Sequence, residues 1–444
     1  MRKSVVILSV ISILLLAGVP NLSAFIIYDD ISISSSPNPV GSGARAVGMG
    51  GAFIGVADDA TAASWNPSGL IQLEKPELSI VGAYVLNQAD FSTDDNTEMV
   101  SDYKDDFGSL NYVSASYPFS LGNRNMVVSI DYQRLYEFNL NFEYRYEETV
   151  PLTPPFISLE TQQDVSYEQD GYLGALGLAY AVELAPALSL GFTFNVWTDA
   201  LGWKNGWEET LNVHSVTTVT NSLGDPETTV NDVGIKNEYS GFTGWNANLG
   251  MLWAINQYVT LGAVLKTPFT ADLERQYSRD DTGTSTNEDL ELDMPMSYGL
   301  GVAWRFSDQF SIDLDVYRTH WSDYILEDEN GNKFSPIDGK PASESDVGDT
   351  TQVRFGGEYL IIRPDQAMVI PLRAGLFYDP EPAHDGTKDF YGLSLGSGIG
   401  YKRFIVDLAY QLRWGRDVET DSLIANSTAD ITQHTVLLSV IYHF

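Results

Sequence analysis

The sequence predicts an all-β fold, a transmembrane up-and-down antiparallel β-barrel of about fourteen strands with an N-terminal hatch in its lumen. Three observations predict it. Apolar and polar residues alternate with period two through most of the chain. The connections between alternating segments are short and long in turn. A glycine-rich leader without sustained alternation precedes them all.

The alternation is clearest near the C-terminus. Thr432, His434, Val436, Leu438, Val440, Tyr442 and Phe444 share one strand face, and most are apolar. Phe404, Val406, Leu408, Tyr410, Leu412 and Trp414 form another such face, with Asp407, Ala409, Gln411 and Arg413 opposite. Leu188 to Val196 and Met296 to Phe306 repeat the pattern, with Ser, Gly, Thr, Asn, Ala and Arg on the second face. A wall with acyl chains outside and a polar lumen inside produces that contrast. An antiparallel sandwich with one wet face also alternates.

The connections decide between the two. Strands are expected to start near Leu78, Leu110, Met126, Gly171, Leu188, Trp245, Val259, Leu292, Phe310, Gln352, Val369, Tyr391, Phe404 and Ile431. Short turns fall at 119–124, 183–187, 256–257, 307–309, 363–366 and 402–403. Long polar connections fall at 88–108, 139–165, 200–240, 271–289, 322–350, 379–389 and 415–429. Strict alternation of lengths suits short periplasmic turns and long outer loops. Acidic pairs cluster in the long connections: Asp94-Asp95, Asp105-Asp106, Glu147-Glu148, Asp280-Asp281 and Glu327-Asp328-Glu329. Solvated loops explain them, and divalent bridging to anionic head groups is the sharper alternative.

Composition narrows the function. The net charge of -35 opposes nucleic-acid binding, which needs Lys and Arg against phosphate. The absence of Cys removes disulfides, thiol chemistry and Cys-ligated zinc. Abundant Tyr, Phe and Trp suit interfacial girdles. Arg2 and Lys3, the apolar run Val5–Leu16, and the Leu22-Ser23-Ala24 site read together as a signal peptide over residues 1–24. Residues 25–76 are then the hatch and 77–444 the barrel. The hatch is expected to use Gly50 and Gly51 for close backbone approach, Asp58 and Asp59 to cap a short helix, and Asn66-Pro67 as a turn.

The leader resembles the N-terminal hatch of the FadL-like outer-membrane transporters, a family taking up long-chain fatty acids and aromatic hydrocarbons. The resemblance lies in Gly43–Ala46, Gly50–Ala52, Ala57–Ala60 and Trp65–Leu70, with Ser68 where the family usually has Ala. It extends through Leu292–Phe306, His320–Tyr324 and Pro371–Pro380. It implies a fourteen-stranded barrel and a hydrophobic small-molecule ligand, a fatty acid or hydrocarbon. It implies a partner environment of outer-membrane lipid and lipopolysaccharide, and a monomer is expected. No cofactor or metal is called for. The family is described with an inward kink in its third strand, but Met126–Tyr136 carries no Gly or Pro to make one. Lateral release therefore stands on resemblance alone. Similar hatches occur in barrels that dock secretion machinery, which is the competing role.

Two residue sets are expected to meet ligand. Leu201, Trp203, Trp207 and Leu211, with the connection near Leu273, would form an outer capture groove. Lys266, Arg305, Arg354, Arg373 and Arg413 would face the lumen, most of them paired with Asp313, Asp315, Glu358 and Asp407. Gly392–Gly396 matches a nucleophile-elbow pattern but lies in an alternating strand, not a strand-to-helix turn. The His residues show no metal-ligand spacing. No enzyme is expected.

Overall fold

The computed structural model describes residues 41–93, 102–154, 156–200, 204–383, 385–419 and 427–444. The signal peptide and the Asp94-Asp95 pair lie outside them. Two short helices, α1 (Ala44–Gly48) and α2 (Ala62–Trp65), and a 3-10 turn over Pro67–Gln72 come first. Strands β1 (Glu77–Thr93), β2 (Asp102–Leu121), β3 (Arg124–Glu137), β4 (Leu140–Pro151), β5 (Phe156–Ala185), β6 (Leu188–Trp197), β7 (Gly206–Asn221) and β8 (Pro226–Ala254) follow. Then come β9 (Val259–Lys266), β10 (Phe269–Arg279), β11 (Thr284–Met294), β12 (Ser297–Ser307), β13 (Phe310–Thr319), β14 (Ile325–Glu327), β15 (Lys333–Phe334) and β16 (Asp346–Val347). The chain ends with β17 (Thr350–Arg363), β18 (Met368–Tyr378), β19 (Glu381–Ala383), β20 (Asp385–Lys388), β21 (Tyr391–Tyr401), β22 (Phe404–Glu419) and β23 (Ser427–His443).

Fourteen strands close into an antiparallel ring in the order β1, β2, β3, β5, β6, β8, β9, β12, β13, β17, β18, β21, β22, β23. The last pairs with the first from Glu77↔His443 to Thr93↔Ser427. Closure gives the spanning backbone its hydrogen bonds without a free edge, as a sheet in lipid requires. The alternation maps onto the wall as expected. Leu78, Ile80, Leu190, Phe192, Leu300, Leu408, Leu438 and Phe444 are exposed on the outside, while Ser189, Thr193, Asn195, Asp407, Arg413 and Ser439 are buried inside.

Several of the long connections are strand rather than loop. β4 pairs along one edge of β5, from Leu140↔Gln169 to Pro151↔Ser158. β7 pairs along the other edge of β5 and with β8. β10 joins β8 to β11. These ladders continue the wall beyond the ring. The strand expected near Leu292 also differs, because Leu292 belongs to β11, and the ring strand β12 starts at Ser297, after Pro295 breaks the ladder.

The wall forks between β2 and β3. Their pairing stops at Tyr112↔Gln133. There the β1–β2 register shifts past Asn111, and the β3–β5 register shifts past Leu135. Two bulges thus face each other where the strands part, and bulges bend the strands that carry them. Beyond them β3 gives way at Phe138-Asn139 to β4, still paired to β5. The third strand is therefore interrupted without Gly or Pro in its own sequence; Gly171 of β5, at φ 148°, faces the break and accepts Phe138 N–H at 2.9 Å.

Candidate functional site

The lumen is layered. Its floor is the N-terminal segment 41–73, which hydrogen-bonds to strands all around the ring. Ala44 N–H donates to Ser439 Oγ at 2.8 Å on β23, and Tyr112 OH on β2 donates to Ala60 C=O at 2.8 Å. Thr193 Oγ1 on β6 donates to Ala63 C=O at 2.7 Å. Asp315 on β13 accepts Phe53 N–H at 2.6 Å and Ile54 N–H at 2.8 Å through one oxygen. Ser394 on β21 donates to Gly48 C=O at 3.1 Å, which puts the elbow-like serine in a wall contact and leaves it no catalytic role.

Glycines of the wall make room for this backbone. A Cβ on Gly356 would lie 2.1 Å from Met49 O, one on Gly262 2.2 Å from Ile54 O, and one on Gly375 2.3 Å from Gly50 N. Gly191 and Gly250 meet Pro67 and Asn66 as closely. Together they form a collar for the segment, Gly191 among them on a face read from sequence as wet. Gly50 and Gly51 adopt φ of 70° and 75°, a conformation that favours glycine. Asn66 works harder than a turn residue: its side chain accepts Ser68 N–H at 3.3 Å, and its amide donates to Ile54 C=O at 2.9 Å and Met251 C=O at 3.1 Å. Pro67 opens the 3-10 turn. Neither acid caps α2 as expected: Asp59 accepts Thr61 N–H at 2.8 Å, outside the helix, whose first-turn N–H groups receive no side-chain cap, and Asp58 binds Arg45.

Arg45 ties the segment to the wall. Its guanidinium holds Asp58 and reaches Glu358 Oε1 on β17 at 2.9 Å. Burial by itself would lower its pKa, but Asp58 and Glu358 more than reverse this and keep it charged. Burial pushes the Asp59 carboxyl up, against the pull of Arg45. Glu358 also accepts from Arg373 Nε at 2.6 Å, and Arg373 Nη1 meets Asp407 at 2.6 Å. Arg354 and Arg413 share Asp379, at 3.3 and 3.1 Å, and Arg354 donates to Gly50 C=O at 3.0 Å. The expected pairing through Glu358 and Asp407 is present. Asp315 instead serves the segment backbone, and Asp313 is buried with both carboxylate oxygens lacking a hydrogen-bond partner among the described residues.

Above the floor runs a belt of amides. Gln133 donates to Asn195 at 2.8 Å, and Asn195 to Asn248 at 3.3 Å. Lys266, opposite Asn248 in the ladder, is buried with its Nζ 5.8 Å from the Tyr317 ring centroid. Arg305 departs from expectation: it is exposed at the short-turn end of β12, because period two fixes a residue's side of the wall but not its depth.

Over the belt lies an apolar cluster. It includes Phe138, Leu173, Trp197, Trp207, Tyr239, Phe242, Leu273 and Leu292 from the wall. Trp321, Tyr324, Leu326 and Val347 join it from the connection between β13 and β17, which folds inward as a roof. Trp207 is sandwiched between Phe138 and Tyr239, with ring centroids at 4.5 and 4.4 Å. Its indole N–H meets Glu209 at 3.2 Å, so the polar handle is satisfied within the cluster.

The outer capture groove takes a different form. Trp207 and Leu211 lie on β7 with side chains buried, Trp207 in this cluster and Leu211 in another with Phe142, Tyr144 and Tyr167. Leu201 and Trp203 lie outside the described residues. Near Leu273 there is a cavity of about 700 Å3, but Asp272, Glu274, Asp289, Glu291 and Glu327 share its lining with Leu273 and Leu290, which suits neither apolar solutes nor carboxylates. Among the described residues no three acidic or His side chains converge to hold a metal ion. Sequence reasoning missed Arg45, Phe138 and the roof. Only the family-like stretch His320–Tyr324 hinted at the last.

Among curated proteins none matches the sequence significantly. The family model for outer membrane protein transport proteins (OMPP1/FadL/TodX) matches residues 40–436. Similar solved structures include a Pseudomonas aeruginosa FadL homologue, 15% identical over 91% of this chain and 98% of that chain, with a TM-score of 0.60. The P. putida toluene transporter TodX is 15% identical over 92% of this chain and 99% of its own, with a TM-score of 0.53. The Ralstonia pickettii toluene transporter TbuX is 14% identical over 92% and 99%, with a TM-score of 0.51. At these identities the structures speak for the fold, while the family model spans most of the chain. The closed ring, the filled lumen and that match agree: the chain belongs to the OMPP1/FadL/TodX family and is an outer-membrane transport barrel, not an enzyme.

Proposed function

We propose that this barrel carries hydrophobic small molecules, long-chain fatty acids foremost, from the outer face into the membrane or periplasm. The observation that carries the reading is the buried aromatic cluster above a polar belt that contains Lys266. An amphiphile would place its chain among Trp207, Phe138 and Trp197 and its carboxylate toward Lys266, whose Nζ lies 5.8 Å from the Tyr317 ring centroid. The three buried arginines are committed to Glu358, Asp379, Glu381 and Asp407. Aromatic hydrocarbons are the second substrate class, favoured by the stacked rings around Trp207 and by the toluene transporters among the structural relatives.

Residues 25–76 act as the hatch in this reading, after removal of residues 1–24. Its support is the contact of residues 41–73 with the wall on every side. Ligand binding above would shift the hatch or open a path beside it, which requires the ligand to favour the open state. Mass spectrometry of ligands extracted from the purified barrel tests the substrate class. Recovery of fatty acids whose binding falls in a Lys266→Gln variant is expected; a barrel that binds neither fatty acid nor hydrocarbon refutes the reading.

A further inference from the structure

Charge is divided unevenly between the two ends of the barrel. Acids outnumber Lys and Arg 60 to 25 along the chain, but the end that bears the short turns has no such excess. Lys75, Arg124, Arg305, Arg363, Lys402 and Arg403 are all exposed there. The acids beside them are Glu74, Glu77, Glu183, Asp308 and Asp365. Glu77 is held by His443 at 3.2 Å, and Glu183 accepts from Asn125 at 2.7 Å. Among the described residues none of the six cations has an acid within ion-pair distance. At the other end Arg145, Lys236, Arg279, Lys333 and Arg416 each hold one. Cations left unpaired in so acidic a chain are available to an anion from outside it.

The six are not spread evenly round the rim. The turns between β5 and β6 and between β8 and β9 carry no cation, whereas the turn between β21 and β22 carries two in succession. Lys75 enters β1, which is two ladders from β22 across β23, a spacing of about 10 Å at about 4.8 Å per strand. Lys402 and Arg403 form the whole two-residue turn, closed by Tyr401↔Phe404. Lys402 adopts φ 55°, a left-handed conformation that Gly or Asn takes at less cost. Its Nζ lies 4.9 Å from the Tyr401 ring centroid, and Arg403 Nη1 donates to Tyr442 OH at 3.3 Å. Tyr401, Phe404 and Phe444 are exposed on the lipid side, and Tyr in such a belt sits at head-group level. The turn thus fixes two cations at the height of lipid phosphates, with rings below them for acyl chains.

We propose that Lys402, Arg403 and Lys75 form a binding site for the head group of an anionic phospholipid in the leaflet on the short-turn side. The phosphodiester takes the Lys402 ammonium and the remaining N–H groups of Arg403, and Lys75 adds attraction from across β23. A lipid fits better than free phosphate, because only a lipid also covers the rings. The site does not depend on what the lumen carries.

The test titrates the full barrel in detergent with phosphatidylglycerol or phosphatidylcholine and counts bound lipid by native mass spectrometry. Phosphatidylglycerol should bind more tightly; equal affinities overturn the site. Lys402→Gln combined with Arg403→Gln should weaken phosphatidylglycerol about thirtyfold, at about fivefold for each cation, and leave phosphatidylcholine within about twofold. Arg416→Gln, at the far end, should change neither. Lys402→Asn relieves the left-handed turn, so it should melt no lower than the unaltered barrel and still bind phosphatidylglycerol about fivefold more weakly. Unchanged phosphatidylglycerol affinity in these Lys402 variants, or an equal loss in Arg416→Gln, overturns the proposal. Displacement of the lipid by inorganic phosphate overturns the lipid as occupant.

Discussion

Gly356→Ala is the sharpest perturbation of the collar. The added methyl would sit 2.1 Å from Met49 O, and ordinary contact begins at 3.4 Å, so segment and wall must part by 3.4 − 2.1 = 1.3 Å. Little can give. Gly50 C=O is bound by Arg354, and Gly50 N presses on Gly375 from the next strand. Overpacking of this kind costs about 1–3 kcal/mol, and the rigid backbone partners put the estimate near the top of that range. Gly400→Ala is the control, with its nearest neighbour at 3.7 Å and an expected change within about 0.5 kcal/mol. Thermal unfolding in detergent and tryptic cleavage after Arg45 would be followed together. Gly356→Ala should lower the transition and expose Arg45, and Gly400→Ala should do neither. Indistinguishable melting and cleavage in the two variants would refute the close-fitting collar.

Other substitutions probe the remaining layers. Arg45→Met leaves Asp58 and Glu358 facing each other without their shared cation. With the side chain one-fifth exposed, the loss should be about 2–3 kcal/mol, below the range for fully buried pairs, and protection of the N-terminal segment from protease reports it. Trp207→Ala removes the centre of the ring stack and should destabilise by about 3–5 kcal/mol; bound ligand recovered from the purified variant should fall as well, and unchanged recovery would separate the cluster from binding. Asn205→Ala deletes a side chain that bonds both N–H and C=O of Gly174 at 2.8 and 2.9 Å, standing in for a strand between β6 and β7. Hydrogen exchange at Gly174 should accelerate while the lower ring stays protected.

The ring was legible because its strands obey one rule along their whole length, apolar toward lipid and small or polar inward. β6, β12, β22 and β23 lie where alternation puts them. The strands beyond the ring were not legible. Outward positions of β7 such as Glu208, Thr210 and Asn212 meet water, and its inward face mixes Trp207 and Leu211 with Glu209 and Ser215, so no apolar stripe marks it. The collar was misread for a different reason. A glycine facing water and one facing the N-terminal segment look alike until Met49 is seen against Gly356, some 300 residues away. The fork escaped notice because bulges at Asn111 and Leu135 belong to pairing register, which no residue type declares.

The length of β5 has a consequence for geography. Its 30 residues extend about 100 Å at about 3.3 Å each, whereas a tilted strand crosses a bilayer in about 9–11 residues. Roughly two-thirds of this strand, with the β7 and β8 ladders beside it, therefore stands clear of the acyl chains like a chimney. A hydrophobic solute entering from outside therefore meets the aromatic interior of this tower, within a protein wall, well before it would touch lipid.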